Sequence, residues 1–234
     1  MNVLFTGGSG LLGKEVKKLR PGWEYPSRGE MEITDIESVW SWINTYFDCV
    51  VHAAASTSPP KVDNDPSLAV ERNIEGTSYI VRACMRYSIR LIYISTDYVF
   101  RGLVGKYVPD SSLHPVNKYA WSKLGGECAV RMYDKGLIVR GSFGAVPFPY
   151  DKAFVDQYTT RVPVTEFARR LVELVEQDPP QYGVVHIAGK RQTVFEYAKM
   201  VSPEKEIGPL RRDEVPFTVP FDTSLLEGIE GEDE

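Results

Sequence analysis

The sequence predicts an α/β fold built on a doubly wound parallel sheet, with a small C-terminal lobe that would complete a ligand site. Three observations predict it. Short, strongly apolar runs alternate with longer segments whose apolar residues recur at helical spacing. The links between them are short, and parallel strands joined by right-handed crossovers are what such alternation produces. The rhythm breaks after Arg140, where 143–158 is rich in Pro, Gly and aromatic residues and has no period.

Taken in order, 2–6 reads as a short buried strand, 7–10 as a turn and 11–19 as a helix. Residues 23–26 read as a second strand and 35–46 as a helix, with Asp35 placed as its N-terminal cap. A strand over 49–52 and a long helix over 68–87 follow. Then come a very β-prone strand over 90–95, a helix over 116–133 and a strand over 137–140. Beyond the break, 166–176 and 194–201 read as helices, 182–188 as a strand, and 203–226 as extended and punctuated by Pro. No internal repeat is visible.

The chain has 234 residues, enough for one large domain or a domain with an appendage. Its net charge is −5, and five acids fall in the last eight residues: Glu227, Glu230, Glu232, Asp233 and Glu234. The rest of the chain is balanced, which argues against wrapping nucleic acid while leaving room for a local basic pocket. The segment 227–234 is expected to be a disordered acidic tail. Cys49, Cys84 and Cys128 are odd in number, far apart and without a CxxC, so neither a disulfide framework nor a zinc site is expected. That usage points to a cytoplasmic chain. No run approaches the ~18 apolar residues of a membrane span, and no secretion signal is visible at the N-terminus.

The first turn reads Thr6-Gly7-Gly8-Ser9-Gly10-Leu11-Leu12-Gly13. Glycines at this spacing let the backbone turn sharply and bring a pyrophosphate onto main-chain N–H groups at a helix N-terminus. The pattern follows a strand and opens a helix, the context that gives it meaning as a Rossmann-type dinucleotide site. At the end of the second strand an acid suits a ribose 2′-hydroxyl and a cation a 2′-phosphate. Arg28 stands there, which favours NADPH and leaves NADH admissible; the alternative is a solvated loop arginine.

Tyr119 and Lys123 lie four residues apart, on one face of a helix. An ammonium beside a phenol favours the phenolate and makes tyrosine usable as a proton donor near neutrality. This helix follows the strand that ends in Ser95-Thr96-Asp97, and carboxyl ends of strands line the crevice of an open α/β sheet.

Together these motifs resemble the extended short-chain dehydrogenase/reductases. Further runs narrow the resemblance to the dTDP-4-dehydrorhamnose reductase family: Ile33-Thr34-Asp35, His52-Ala53-Ala54-Ala55, Arg72-Asn73-Ile74-Glu75-Gly76-Thr77, Ser95-Thr96-Asp97-Tyr98-Val99-Phe100, and Leu124-Gly125-Gly126-Glu127 after Lys123. Val184-Val185-His186-Ile187-Ala188-Gly189 continues it.

The resemblance implies an NAD(P)-binding domain over 1–141 and a dependent substrate lobe over 142–226. It implies that Tyr119 protonates a substrate carbonyl oxygen, that Lys123 holds the nicotinamide ribose, and that Thr96 bonds the carbonyl, with Ser95 beside it. Gly7, Gly10 and Gly13 would cradle the pyrophosphate, with Ser9, Leu11 and Leu12 contributing. Asp35 and Ile36 would flank the adenine; Ala53, Ala54 and Ala55 would leave room for the adenosine ribose and diphosphate; Tyr98 would touch the sugar. No metal is needed.

The implied activity is NAD(P)H-dependent reduction of a nucleoside-diphosphate-4-keto-6-deoxy sugar. An epimerase retaining NAD is one alternative; a non-catalytic regulatory subunit, like the accessory subunit of methionine adenosyltransferase in the same family, is another. A dehydratase is disfavoured, because Tyr98 follows Thr96-Asp97 where such enzymes tend to carry Glu. A nucleotide sugar is the expected partner, with no nucleic acid or membrane, and a homodimer is compatible with the fold.

His52 stands where the family commonly has Asn and reads as a strand-end packing residue. Only 94 residues follow Arg140, so the substrate portion is expected to be trimmed. Arg211-Arg212 reads equally as a diphosphate clamp or as two solvated arginines. His114 and His186 read as structural, and Trp23, Trp40, Trp42 and Trp121 as packing residues.

Overall fold

The computed structural model describes residues 1–216 and 218–226; the acidic tail over 227–234 lies outside the described residues. The N-terminal part runs β1 (Val3–Thr6), α1 (Leu11–Leu19), α2 (Ile36–Trp42), β2 (Cys49–His52), α3 (Pro59–Asn64) and α4 (Pro66–Ala69). A π-helical stretch, Val70–Gly76, leads directly into α5 (Thr77–Tyr87) and β3 (Arg90–Ile94). A 3-10 turn at Asp97–Val99, α6 (Lys118–Arg131) and β4 (Gly136–Gly141) follow.

The C-terminal part contains β5 (Phe143–Gly144), β6 (Lys152–Phe154), β7 (Tyr158–Thr159), β8 (Val162–Pro163) and α7 (Val164–Glu176). It continues through β9 (Gly183–Ile187), β10 (Gln192–Thr193), α8 (Val194–Val201), β11 (Gly208–Leu210) and a 3-10 turn at Arg212–Glu214.

Five strands form one sheet in the order β1-β2-β3-β4-β9, and every pairing is parallel. The expected parallel α/β sheet is therefore present. Strand alternation divides its side chains between two cores. Val3, Phe5, Ile92 and Ile94 face α1 and α7, against Leu12, Val16, Phe167 and Leu171. Leu4, Val50, Leu91 and Tyr93 face the other way, against Val39, Ile43, Ile80 and Val81. Strands buried on both faces explain why the sequence shows continuous apolar runs rather than alternation.

β9 and α7 come from beyond residue 141, yet one completes the sheet and the other packs on α1. Residues 1–141 thus do not contain the whole of it. The remainder forms a lobe of three two-stranded pairs, β7–β10, β6–β11 and β5–β8. Its own core gathers Phe148, Ala153, Val194, Tyr197, Ala198 and Ile207. The segment 221–226 then straps lobe to sheet: Phe221 N–H donates to Gly102 O at 2.8 Å, Thr223 N–H to Tyr158 O at 3.0 Å, and Leu226 N–H to Tyr107 O at 2.8 Å.

Three elements differ from the sequence expectation. The second strand is a single parallel bridge, Leu4 with Glu24, because Pro26 has no N–H to extend the ladder. The helix expected over 35–46 stops at Trp42, and Asp35 caps it by accepting from Glu37 N at 3.0 Å. The long helix expected over 68–87 starts at Pro66 and opens into the π-helical stretch, where buried Asn73 turns inward.

Candidate active site

The carboxyl ends of β1, β2, β3 and β4 open into a cleft of about 660 Å³. Its near half is built by the glycine turn. Gly7 has φ +80°, and a Cβ on it would lie 2.8 Å from Ala54 N. A Cβ on Gly13 would lie 2.5 Å from Gly7 O, so α1 can approach β1 only because residue 13 has no side chain. Gly10 caps α1, which directs that helix's N-terminus at the cleft. Gly7, Ser9, Gly10, Leu11, Leu12 and Gly13 all line it, as do Ala53, Ala54 and Ala55 across from them. A cradle that any Cβ would fill suits a pyrophosphate on main-chain N–H groups.

The floor below this turn is polar and closed. His52 Nδ1 meets Thr6 Oγ1 at 2.8 Å and Nε2 meets Thr77 Oγ1 at 3.1 Å. Burial pushes the imidazole down to about 3, so it is neutral and serves as a spacer between β1 and α5.

Arg28 lines the rim, and its guanidinium Nε donates to Glu32 Oε2 at 2.6 Å. Glu32 lines the cleft as well, between Met31 and Ile33. Asp35 and Ile36 do not reach it. Asp35 is committed to the α2 cap, and the residues at the cleft wall are the three that precede Thr34. This displacement follows from the single bridge at Glu24: the chain leaves the sheet early and re-enters beside the cleft several residues before α2.

The far half carries Thr96, Tyr98, Tyr119 and Lys123. Thr96 leaves the end of β3 as the cap of the 3-10 turn, its Oγ1 accepting from Tyr98 N at 3.2 Å. Asn117 caps α6 by accepting from Ala120 N at 2.8 Å, which fixes the first turn that bears Tyr119. Tyr119, Lys123, Thr96 and Tyr98 all line the cleft. The rings of Tyr98 and Tyr119 meet edge to face, 6.4 Å between centroids.

Burial holds the Tyr119 phenol well above the ordinary tyrosine range, and the neighbouring Thr96 hydroxyl works the other way. The expected lowering by Lys123 is not what sets its state; the phenol is a protonated donor. Lys123 is 3% exposed, with its ammonium 4.1 Å from the centre of the Tyr93 ring. Burial pulls it down to about 7, while Glu127 one turn on pulls it back up. A lysine in that state is poised to gain a favourable contact from polar hydroxyls placed before it.

Asn73 holds the two halves together. Its Oδ1 accepts from Ser56 N at 2.7 Å, and its Nδ2 donates to Ser56 O at 2.9 Å and Ser122 Oγ at 2.8 Å. It thereby ties the loop after β2 to the Tyr119–Lys123 helix. Ser95 lines the cleft, but its hydroxyl is committed behind it, donating to Glu127 Oε1 at 2.5 Å.

Arg211 and Arg212 lie outside the cleft lining. Arg212 N–H donates to Asp156 Oδ1 at 3.0 Å and its guanidinium to Val219 O at 3.2 Å, while Arg211 faces Asp213. Besides Arg28 and Lys123, two further cations line the cleft: Arg72, from the π-helical stretch, and Arg161, from the lobe. Sequence reasoning missed both, as it missed Asp97, Phe143, Phe148 and Tyr150 on the same wall. The Arg-Asn pair that carried the resemblance was the available signal for Arg72. Nothing local marks Arg161.

Residues 1–145 match the model of the RmlD substrate binding domain family. The chain belongs to this family. Curated relatives fall into two kinds. Methionine adenosyltransferase 2 subunit beta of Xenopus laevis is 29% identical, over 96% of this chain and 81% of its own length. dTDP-4-dehydrorhamnose reductase of Aggregatibacter actinomycetemcomitans is 28% identical, over 80% of this chain and 73% of its own.

Among solved structures, a hypothetical dTDP-4-dehydrorhamnose reductase from Sulfolobus tokodaii is 28% identical, with a TM-score of 0.84 over 96% of this chain and 92% of that one. The Bacillus anthracis dTDP-4-dehydrorhamnose reductase, solved in complex with NADP, is similar in fold, with a TM-score of 0.86 at 23% identity over 97% of this chain and 90% of that one. No helix among the described residues is long and apolar enough to cross a membrane.

Proposed function

We propose that the protein is a nicotinamide-dependent oxidoreductase that reduces the keto group of a nucleoside-diphosphate-4-keto-6-deoxy sugar. The observation that carries this reading is one cleft holding both a side-chain-free pyrophosphate cradle and the Thr96, Tyr119 and Lys123 groups. The bound nicotinamide cofactor supplies the hydride. The chain does the rest: the glycine turn and the α1 N-terminus hold the diphosphate, Lys123 holds the ribose hydroxyls, Thr96 orients the carbonyl, and Tyr119 donates the proton to its oxygen. Arg72 and Arg161 suit the diphosphate of the sugar nucleotide, and Phe148 and Tyr150 suit its base.

Arg28 supports NADPH as the reduced cofactor; its pairing with Glu32 keeps NADH in play. A regulatory reading has its own support in the methionine adenosyltransferase 2 subunit beta relatives, which align along 96% and 97% of this chain.

The test is to mix the protein with NADPH or NADH and a panel of such sugar nucleotides, following nicotinamide absorbance and sugar product together. A reductase oxidises one cofactor per sugar reduced. An epimerase converts sugar without net oxidation. A regulatory subunit is stabilised by cofactor in proportion to its concentration and oxidises none.

A further inference from the structure

The hydroxyl of Tyr98 is held from behind by the lobe. Tyr98 lines the cleft on the turn after β3, its ring edge to face with that of Tyr119. Gln157 stands 59 residues further on, 3% exposed and outside the cleft lining. Its Nε2 donates to the Tyr98 hydroxyl oxygen at 2.7 Å. The bond crosses from the lobe to the end of the sheet.

The lobe fixes where that amide stands. Gln157 O accepts from Val194 N, at the start of α8, at 3.0 Å. The next residue, Tyr158, opens β7, pairs with Thr193 of β10, and donates its N–H to Phe221 O of the strap at 2.8 Å. The residue before, Asp156, is tied by its side chain to Arg212 N–H at 3.0 Å. Chain pinned on both sides of Gln157, together with a buried side chain, holds the amide in place.

The direction of the bond matters. A phenol has one hydrogen to give, and its oxygen accepts. An amide nitrogen carries hydrogens and accepts nothing, so Gln157 takes no hydrogen from Tyr98. Among the described residues, no group accepts from the Tyr98 hydroxyl. Were Gln157 to present its carbonyl oxygen instead, Tyr98 would donate backwards and face the cleft as an acceptor.

We propose that Gln157 is a positioning residue for substrate recognition: by donating to the Tyr98 oxygen, it leaves the Tyr98 hydrogen for a hydroxyl oxygen of the sugar whose keto group meets Tyr119. The proposal rests on the reductase reading and adds to it a means by which the lobe orders the sugar. Gln157 does not touch substrate and acts through Tyr98. The two tyrosines then have separate tasks. Tyr119 gives up its proton to the reacting oxygen, while Tyr98 lends a hydrogen bond to another oxygen of the ring and keeps its proton. A held donor that finds no acceptor costs free energy, so a sugar lacking an oxygen at that place is disfavoured.

The test is a double-substitution cycle on steady-state kinetics with the sugar that the panel identifies. Tyr98→Phe should raise KM for the sugar nucleotide about 3–10-fold, the range of one neutral hydrogen bond, with a smaller change in kcat. Gln157→Met fills about the same space without a donor and should raise KM within the same range. In the Tyr98→Phe background, Gln157→Met should raise KM no further, because the hydroxyl it orients is gone. A merely structural Gln157 would impose the same factor in both backgrounds, and that result overturns the proposal. So does a Gln157→Met variant with the KM of the wild type.

If no sugar in the panel is turned over, the reductase reading fails, and the positioning is then judged by NMR of the Gln157 side-chain amide. That measurement also stands if Gln157→Met does not fold. The Nε2 proton resonances should move in Tyr98→Phe, because their acceptor is lost. Resonances that stay in place overturn the positioning.

Discussion

Glu127 and Arg140 meet side by side behind the cleft, with Glu127 Oε1 accepting from Arg140 Nε at 3.0 Å and Oε2 from Nη2 at 2.8 Å, both side chains wholly buried. The pair is not isolated. Ser95 Oγ joins Oε1, Arg140 Nη1 donates to Pro109 O at 2.9 Å, and the guanidinium lies 5.1 Å from the centre of the Phe100 ring. It thus links the end of β3, the Tyr119–Lys123 helix, β4 and the loop between them.

Breaking such a pair from one side leaves an unmatched buried charge. Arg140→Met should lower stability by about 3–5 kcal/mol, read by urea denaturation. Replacing both partners, Glu127→Leu with Arg140→Met, should recover much of that loss. A single substitution that leaves the unfolding midpoint unchanged would show that the pair is dispensable.

Tyr119→Phe should leave cofactor affinity nearly intact and reduce turnover by about 10²–10⁴-fold. Lys123→Met should weaken cofactor binding as well, because Lys123 is assigned to the ribose. It should also raise the melting temperature at neutral pH. The folded lysine is held near 7, so below that pH the charge is buried at full penalty. The penalty fades as pH rises toward the unfolded value of about 10.4. A Lys123→Met variant that is destabilised at pH 7 and binds cofactor normally would contradict both assignments.

Arg28→Ala should weaken NADPH more than NADH, by tens-fold if the contact to the 2′-phosphate contributes about 1.5–3 kcal/mol. Because Glu32 holds the guanidinium at 2.6 Å, Glu32→Gln should move the preference the other way. Titrating both cofactors by tryptophan fluorescence checks the pair of variants. Equal losses for the two cofactors in Arg28→Ala would remove it from recognition.

Asp97 makes a prediction about folding. Burial raises its folded value to about 6, above the unfolded value of about 3.9, so between those limits the folded state keeps a proton that the unfolded chain releases. Stability from this group is complete below about pH 4 and falls as pH rises through 6, by about 3 kcal/mol in all. The difference in unfolding free energy between wild type and Asp97→Asn should therefore shift in favour of the variant from pH 4 to pH 7. A difference that stays level across that range would mean that Asp97 is not held protonated.

Much of this was legible in the sequence because the information was local. The glycine turn, the cap at Asp35 and the spacing of Tyr119 and Lys123 are each set by residues within a turn or two of one another. The adenine side was less legible. Asp35 looked like a ligand residue, but where the chain meets the cleft depends on how far the second strand runs, and Pro26 ends it after one bridge. Glu32 takes that wall instead. The arginine pair near the C-terminus, read equally as a clamp or as solvated, lies outside the cleft lining for a related reason: Asp156 and Phe221 claim Arg212, and both contacts cross the lobe. Arg161 and the bond from Thr223 to Asp97 depend on tertiary pairing alone, across 126 residues in the second case.

The strap has a consequence for how the protein comes into being. Synthesis runs from the N-terminus, so the turn that holds Thr96 and Asp97 leaves the ribosome long before the segment that carries Thr223. The sheet can collapse around four of its strands in the interval, since β1 through β4 all precede residue 142. In that nascent form Asp97 has no donor on Oδ2, and Gly102 has not met the backbone of Phe221 and Asp222. On the reductase reading, the site is therefore complete only once 221–226 has docked. Activity measured on stalled nascent chains of increasing length should stay absent until 221–226 has cleared the exit tunnel, although the glycine cradle is complete much earlier.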